Sequence, residues 1–561
     1  MTKRRHDLDA LRAFAMLLGI VLHAALSFID GPWVVQDQSQ APVLGVIVSA
    51  IHGFRMPIFF LLSGFFTTML WHKRGLVGLL SHRAKRIALP LGLAYIMIAP
   101  LMLPIWIWAE ASQGDAQVNT SRDLWTACAY GDLEAVRVHL DQDAPTLNTP
   151  DPLYGLTPLS WAVACGQSDT VTFLLDNGAD PNARNAGRNT ALHTAAFLGQ
   201  AEAASRLLAA DAHVNAVNTD GATPLDSLRY DKKTTVSIAA AITLTIDFDT
   251  VTAGRERIRV MLDEADAVSG LDNPEAIAHT LQDTPNDRPW QAEVHDTLKR
   301  VFGGLMFRDF FLHLWFLWHL CWLVAGFALI VWLLGKLPLR LPAIPTPLVS
   351  APLCFIWLIP LTMIPQSFMH VGGTTPGFGP DTSTSILPQP YVLAQYAIYF
   401  GFGAVLYHKL GPSVRLGRGW WYLLPLALLI LPVALAVSFQ TTWGRSLVAG
   451  NEGTLRLLSN LSQVLYVWLM IFGLIGLCEA LLSRERPWVR YVSDSSYWLY
   501  IVHLPLVIVG QILLREVPLP AVVKLFIIVA IATTLMLISY HLFVRYTPIG
   551  TLLNGKKVRG G

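Results

Sequence analysis

Long apolar runs alternate with short polar ones along most of this 561-residue chain. A helix needs about 20 apolar residues to cross a hydrocarbon core. Runs of that kind recur near 8–30, 43–71, 87–109, 310–335, 346–365, 391–408, 419–438, 455–482, 491–514 and 519–545. The pattern predicts ten transmembrane helices. Several carry Pro, which membrane helices accommodate when their neighbours satisfy the freed backbone groups.

Between the third and fourth runs the pattern changes. Units begin at Gly155, Arg188 and Gly221, two steps of 33 residues, with TPL at Thr157 and Thr223, TAL at Thr190 and the turn-like string GADPNAR. This repeat resembles ankyrin. A degenerate first copy starts near Arg122 and the fourth is truncated or divergent, which suits a small stacked solenoid with atypical ends. Such a solenoid offers a binding surface for a protein partner, or a rigid spacer. The stretch from about 231 to 300, with helical pieces such as GRERIRVMLDEAD, reads as a connector. The expected fold class is mainly α: a polytopic helical membrane protein with an inserted α-solenoid. Its parts are a transmembrane segment over 1–109, ankyrin repeats over 115–235, a connector over 236–305 and a second transmembrane segment over 306–550.

Composition sharpens this. With 53% hydrophobic residues, 14% charged residues and a mean hydropathy of +0.46, the chain is too apolar for a soluble globular protein. The net charge of +2 conceals a division: residues 110–300 hold 14 Lys and Arg against 28 Asp and Glu, and the rest hold 27 against 11. The basic residues of the short loops fall on one side: KRR at 3–5, the run from His72 to Arg86, Lys336 with Arg340, Lys409 with Arg415 and Arg418, Arg484 with Arg486 and Arg490, and KKVR at 556–559. The positive-inside rule makes that side cytoplasmic. Both termini are then expected inside and the acidic insert outside. KRR followed by an apolar run could pass for a signal peptide, but Asp7, Asp9 and Arg12 interrupt it and no clear A-x-A site follows, so it reads as an uncleaved span. Five cysteines without a CxxC or a Cys/His cluster indicate neither a metal site nor a disulfide framework. Whether Cys128 and Cys165 pair is open at this stage, and no nucleic-acid partner is expected.

Ionisable groups inside a membrane are costly and generally face a protein interior or a water-filled path. In the first run, eleven steps of 100° bring His23 to within about 20° of Arg12, roughly 16 Å further along the axis. Asp9 falls near the same face and can pair with Arg12 at i,i+3. The bland alternative is that Arg12 snorkels and His23 caps the outer end. The second run adds His52 and Arg55, and Ser63 beside Gly64, where the hydroxyl suits either a helix contact or a substrate. Arg83 and Arg86 open the third run as topogenic charge or as an anion site. His313, Trp315 and His319 begin the fourth, as a sugar-stacking surface or an interfacial aromatic belt. His503, inside the ninth, reads as structural or cavity-lining rather than catalytic.

Taken in order, Asp9 with the R-x10-H pair, FRMPIFFLLSGFF, the basic RxxR at 83–86, HLWFLWHL at 313–320 and SDSSYWLYIVHLPL from Ser493 to Leu506 resemble the membrane-bound acyltransferase-3 family, particularly members that O-acylate, often succinylate, periplasmic glucans. The resemblance covers all ten spans and leaves out the ankyrin insert. It implies a bacterial inner-membrane enzyme that passes an acetyl or succinyl group from cytoplasmic acyl-CoA to a glycan hydroxyl, with His23 as the essential histidine, Arg12 its partner and Arg83 and Arg86 the basic pair. No permanently bound cofactor is implied; acyl-CoA is the donor.

The residue chemistry is compatible with that. A sugar hydroxyl is a poor nucleophile, and a neutral imidazole such as His23 is a natural general base. Arg55 is the candidate for developing oxyanion charge, while Arg12, Arg83 and Arg86 lie nearer the CoA phosphates. Asp9, His52, Ser63, His313, Trp315 and His503 are the candidates for contacting substrate. A transporter or sensor that docks a partner through its ankyrin part is the alternative from another class.

Overall fold

The computed structural model describes residues 5–29, 33–112, 124–142, 147–151, 155–185, 187–241, 244, 246–273, 275, 291, 294, 298, 302, 305–306, 310–337, 345–369, 377–411, 419–448 and 452–554, with no strand among them. Residues 3–4, Arg340, Arg415, Arg418, the KKVR tail and most of the expected connector beyond 275 lie outside the described residues. The chain forms two units: one of Met1–Gly114, Gln291–Val371 and Gly377–Gly561, the other of Asp115–Trp290 with Gly372–Pro376.

In the first unit a helix stands at each of the ten predicted positions: His6–Ala25, Pro42–Arg83, Leu89–Ser112, Trp315–Lys336, Phe355–Gln366, Pro390–Leu410, Trp420–Ser438, Glu452–Leu482, Pro487–Leu514 and Ala521–Ser539. Seven stretches among the described residues are long and apolar enough to cross a membrane. One of these, Pro42–Ala109, carries the second and third predicted spans, divided at Gly75, whose φ of 69° breaks the helix. Phe355–Gln366, at 12 residues, reaches only about 18 Å. Pro390–Leu410 is long enough but is diluted by Gln395, four tyrosines and a His-Lys end.

Two glycines let backbones touch where Pro42–Arg83 crosses Pro390–Leu410. A Cβ on Gly64 would sit 1.8 Å from the Phe400 carbonyl oxygen, and one on Gly403 would sit 2.0 Å from that of Leu61. Any larger residue forces the helices apart, so this crossing anchors the second helix, and with it Arg55, against the bundle. At one end, Lys524 reaches both carboxylate oxygens of Asp37 at 2.8 Å and the Arg515 carbonyl at 2.9 Å. The two side chains are 2% and 1% exposed, a buried pair that ties the loop after the first helix to the start of Ala521–Ser539.

In the second unit the 33-residue step survives as helix starts at Pro158, Ala191 and Pro224. The threonine of each TPL or TAL string is the N-cap: Thr157 accepts from the Ser160 amide, while Thr190 with His193 and Thr223 with Asp226 form capping boxes. The Thr190 amide donates to Nδ1 of His193 at 3.1 Å, so Nε2 carries the proton toward the Ala222 carbonyl at 3.2 Å. Burial pushes this imidazole's pKa down to about 4. Inside the stretch expected as a connector, helix Phe248–Glu264 packs on the third repeat. There a Cβ on Gly254 would meet the Gly199 carbonyl oxygen at 1.8 Å, and Arg255 donates to the Tyr230 carbonyl at 2.6 Å. No disulfide joins Cys128 to Cys165 or links any other of the five cysteines.

Candidate active site

The ionisable face of the first helix is turned to Pro487–Leu514. Nη2 of Arg12 donates to the Ser493 carbonyl at 3.2 Å and to its hydroxyl at 3.3 Å. One step further, Nδ1 of His23 lies 3.0 Å from Nε2 of His503. Arg12 and His23 are eleven residues apart and their partners ten, so the two helices run side by side in the same direction. That repeat fixes Arg12 at one level of the bundle and His23 at another.

His23 stands in a narrow cavity whose walls include Gly19, Arg55, His313, Trp315, Tyr500 and His503. Its ring has two aromatic neighbours: Trp33, stacked at 6.0 Å between centroids, and His503 at 4.9 Å. Gln511 braces the same turn, donating to the His23 carbonyl at 2.9 Å while accepting from Nε1 of Trp33 at 2.9 Å.

A proline explains how His313 is held. Pro505 has no N–H, so the carbonyl of Ile501, four residues earlier, loses its helical donor. Nε2 of His313 takes the vacancy at 3.0 Å. In return the Tyr500 hydroxyl donates to the His313 carbonyl at 2.5 Å, latching the two segments together. His313 and Trp315 are only 8% and 6% exposed, so they form cavity wall rather than an exposed aromatic belt.

Arg55 enters from the second helix, half-buried, with its Nε lacking a hydrogen-bond partner. Only glycine at position 19 makes room for it, since a Cβ there would lie 2.2 Å from Nη1. The phenols of Tyr500 and Tyr396 are close enough to interact with its charge. The cavity thus combines a hydrogen-bonded imidazole with a cation that has unused donor capacity.

The remaining sequence candidates lie elsewhere. Asp9 is half-buried near the start of the first helix, whereas its neighbour Asp7 is buried and paired with Arg5 at 2.6 Å. Arg83 donates to the Thr67 hydroxyl at 2.8 Å, and Arg86 sits half-buried on the π-helical turn Ala84–Ala88. Both lie near His82, and Arg86 also lies near Arg74. His52 packs beside Gly379, and Ser63 lies at the Gly64 crossing. Sequence reasoning missed Trp33, Gln511 and Tyr500. Only Pro505, two residues after His503, signalled locally that a carbonyl would be freed.

The sequence profile of the acyltransferase-3 family, an acyltransferase domain, matches residues 5–164 and 277–541, and ankyrin-repeat profiles match 154–186 and 174–227. The chain belongs to the acyltransferase-3 family and carries an ankyrin module within it. Among its relatives, Glucans biosynthesis protein C of Escherichia coli strain SMS-3-5 is 35% identical over 115 residues, 20% of this chain and 29% of that protein. The K12 protein of the same name is 34% identical over the same shares. The matched stretch therefore spans under a third of those relatives.

Proposed function

We propose that this protein is an O-acyltransferase that moves an acetyl or succinyl group from cytoplasmic acyl-CoA to a hydroxyl of a periplasmic or cell-surface glycan. The observation that carries the reading is the pairing of His23 with His503 in a cavity that also holds Arg55. Nε2 of His23 accepts the hydroxyl proton as the oxygen attacks the thioester carbonyl. Arg55 stabilises the oxyanion that forms. Collapse breaks the C–S bond and the thiolate recovers the proton from His23. Arg12, with Arg83 and Arg86 at the basic end, suits the phosphates of the donor. Family membership and the glucan-related name of the relatives support the acceptor class.

In this reading the protein sits in the bacterial inner membrane with both termini inside, and the ankyrin unit stands in the periplasm as a docking surface for a protein partner. The test is mass spectrometry of envelope glycans from cells with the protein, without it, and with His23→Ala. The acyl mass increment is expected only with the wild type. An increment that persists with a normally inserted His23→Ala protein removes His23 from the mechanism.

A further inference from the structure

We propose that His503 is a positioning residue that sets the tautomer of His23, so that Nε2 of His23 is the basic nitrogen offered to the reacting groups; this rests on His23 being the general base. With His503 neutral, the hydrogen-bond chain reads in one direction. A backbone carbonyl accepts and never donates, so Nδ1 of His503, 2.8 Å from the Tyr500 carbonyl oxygen, carries the proton. In neutral His503 the other nitrogen is then a lone pair. Nδ1 of His23, 3.0 Å from that lone pair, must be the donor. Neutral His23 is left with its lone pair on Nε2.

The device resembles the buried carboxylate behind a catalytic histidine, with a neutral imidazole in place of the charge. No proton passes to His503. When Nε2 of His23 takes the hydroxyl proton, its Nδ1–H still donates to His503, and the bond holds the ring in place until the leaving thiolate recovers the proton. His503 is 3% exposed and its ring stands nearly perpendicular to that of His313, at 88° and 5.1 Å between centroids. His313 is itself fixed by the carbonyl that Pro505 frees. The tautomer of the base is thus dictated by the Tyr500 backbone carbonyl, acting through His503.

The test uses the purified full-length protein, with acetyl-CoA and succinyl-CoA as donors and a glucan oligosaccharide as acceptor, and follows kcat and KM separately. His503→Phe keeps a planar ring and removes the acceptor. It is expected to lower kcat by roughly 10²-fold or more, in the range of general-base contributions, with KM within about twofold. His503→Gln retains an acceptor oxygen and is expected to stay within about tenfold of wild type. Wild-type kcat in His503→Phe overturns the proposal, as does a folded His503→Gln protein that loses as much as the Phe variant. If His503→Phe does not insert, the Gln variant alone decides by the same limit. His23→Ala in the same assay separates the two ideas. If it is inactive while His503→Phe is normal, the base stands and the positioning role falls; if it is active, the base reading fails and the positioning role fails with it.

Discussion

Gly19→Ala tests whether the cavity's geometry, rather than its composition, supports catalysis. In a helix interior alanine is favoured over glycine by about 1 kcal/mol, so the helix itself gains. The new Cβ, however, would lie 2.2 Å from Nη1 of Arg55 and 3.2 Å from its Cζ. Normal contact between such atoms is about 3.5 Å, so the guanidinium must withdraw by roughly 1.3 Å. The clash falls on the far end of a flexible side chain, so the protein should still fold. A misplacement of about 1 Å costs a catalytic group roughly 10²-fold, equivalent to about 2.7 kcal/mol of barrier. Initial rates of acyl transfer in detergent, beside thermal melting, are the assay. The expected outcome is unchanged or raised stability with kcat down by about 10²-fold. Gly326→Ala serves as control, because nothing lies within 4 Å of its added Cβ. A stable Gly19→Ala protein with wild-type kcat would refute the placement of Arg55 at the reacting centre.

Two further outcomes concern stability. Asp37→Asn leaves the Lys524 ammonium buried without its counter-charge, and breaking a buried pair costs about 3–5 kcal/mol, whereas replacing both partners by Leu and Met should be close to neutral; equal melting temperatures for wild type and Asp37→Asn would contradict this. His193 is neutral when folded, with a pKa of about 4 because of burial, and takes up a proton near pH 6.5 when unfolded. The ankyrin unit therefore has the full benefit above pH 6.5. It loses on the order of 3 kcal/mol as the pH falls toward 4. Amide exchange of residues 190–205 in the intact chain should accelerate over that window in wild type and much less in His193→Gln, and parallel slopes would acquit His193.

Much of this was readable before any coordinates. The shared face of Arg12 and His23 follows from helical periodicity, and both residues do turn to one neighbouring helix. The threonines at 157, 190 and 223 cap helices because a short hydroxyl before a helical run satisfies orphan amides. The alternatives for His313 and Trp315, sugar-stacking surface or interfacial belt, could not be separated, because burial depends on what covers them. His503 was expected to be structural, to line a cavity or to contact substrate, not to partner His23. Its 3.0 Å contact with His23 spans 480 residues of sequence, a distance over which no local pattern carries information.

What the sequence determined by itself is therefore local: which stretches are apolar enough to be helices in lipid, where the 33-residue repeat starts, and which ionisable residues share a face. Each of these follows from the spacing of side chains along one helix or one repeat. Tertiary structure decided which faces meet. It set His503 against His23, cleared the space at Gly19 for Arg55, and joined Asp37 to Lys524 across 487 residues. Those pairings depend on how the helices pack, and packing is settled by contacts such as Gly64 on Phe400, whose partners are named only once the bundle is assembled.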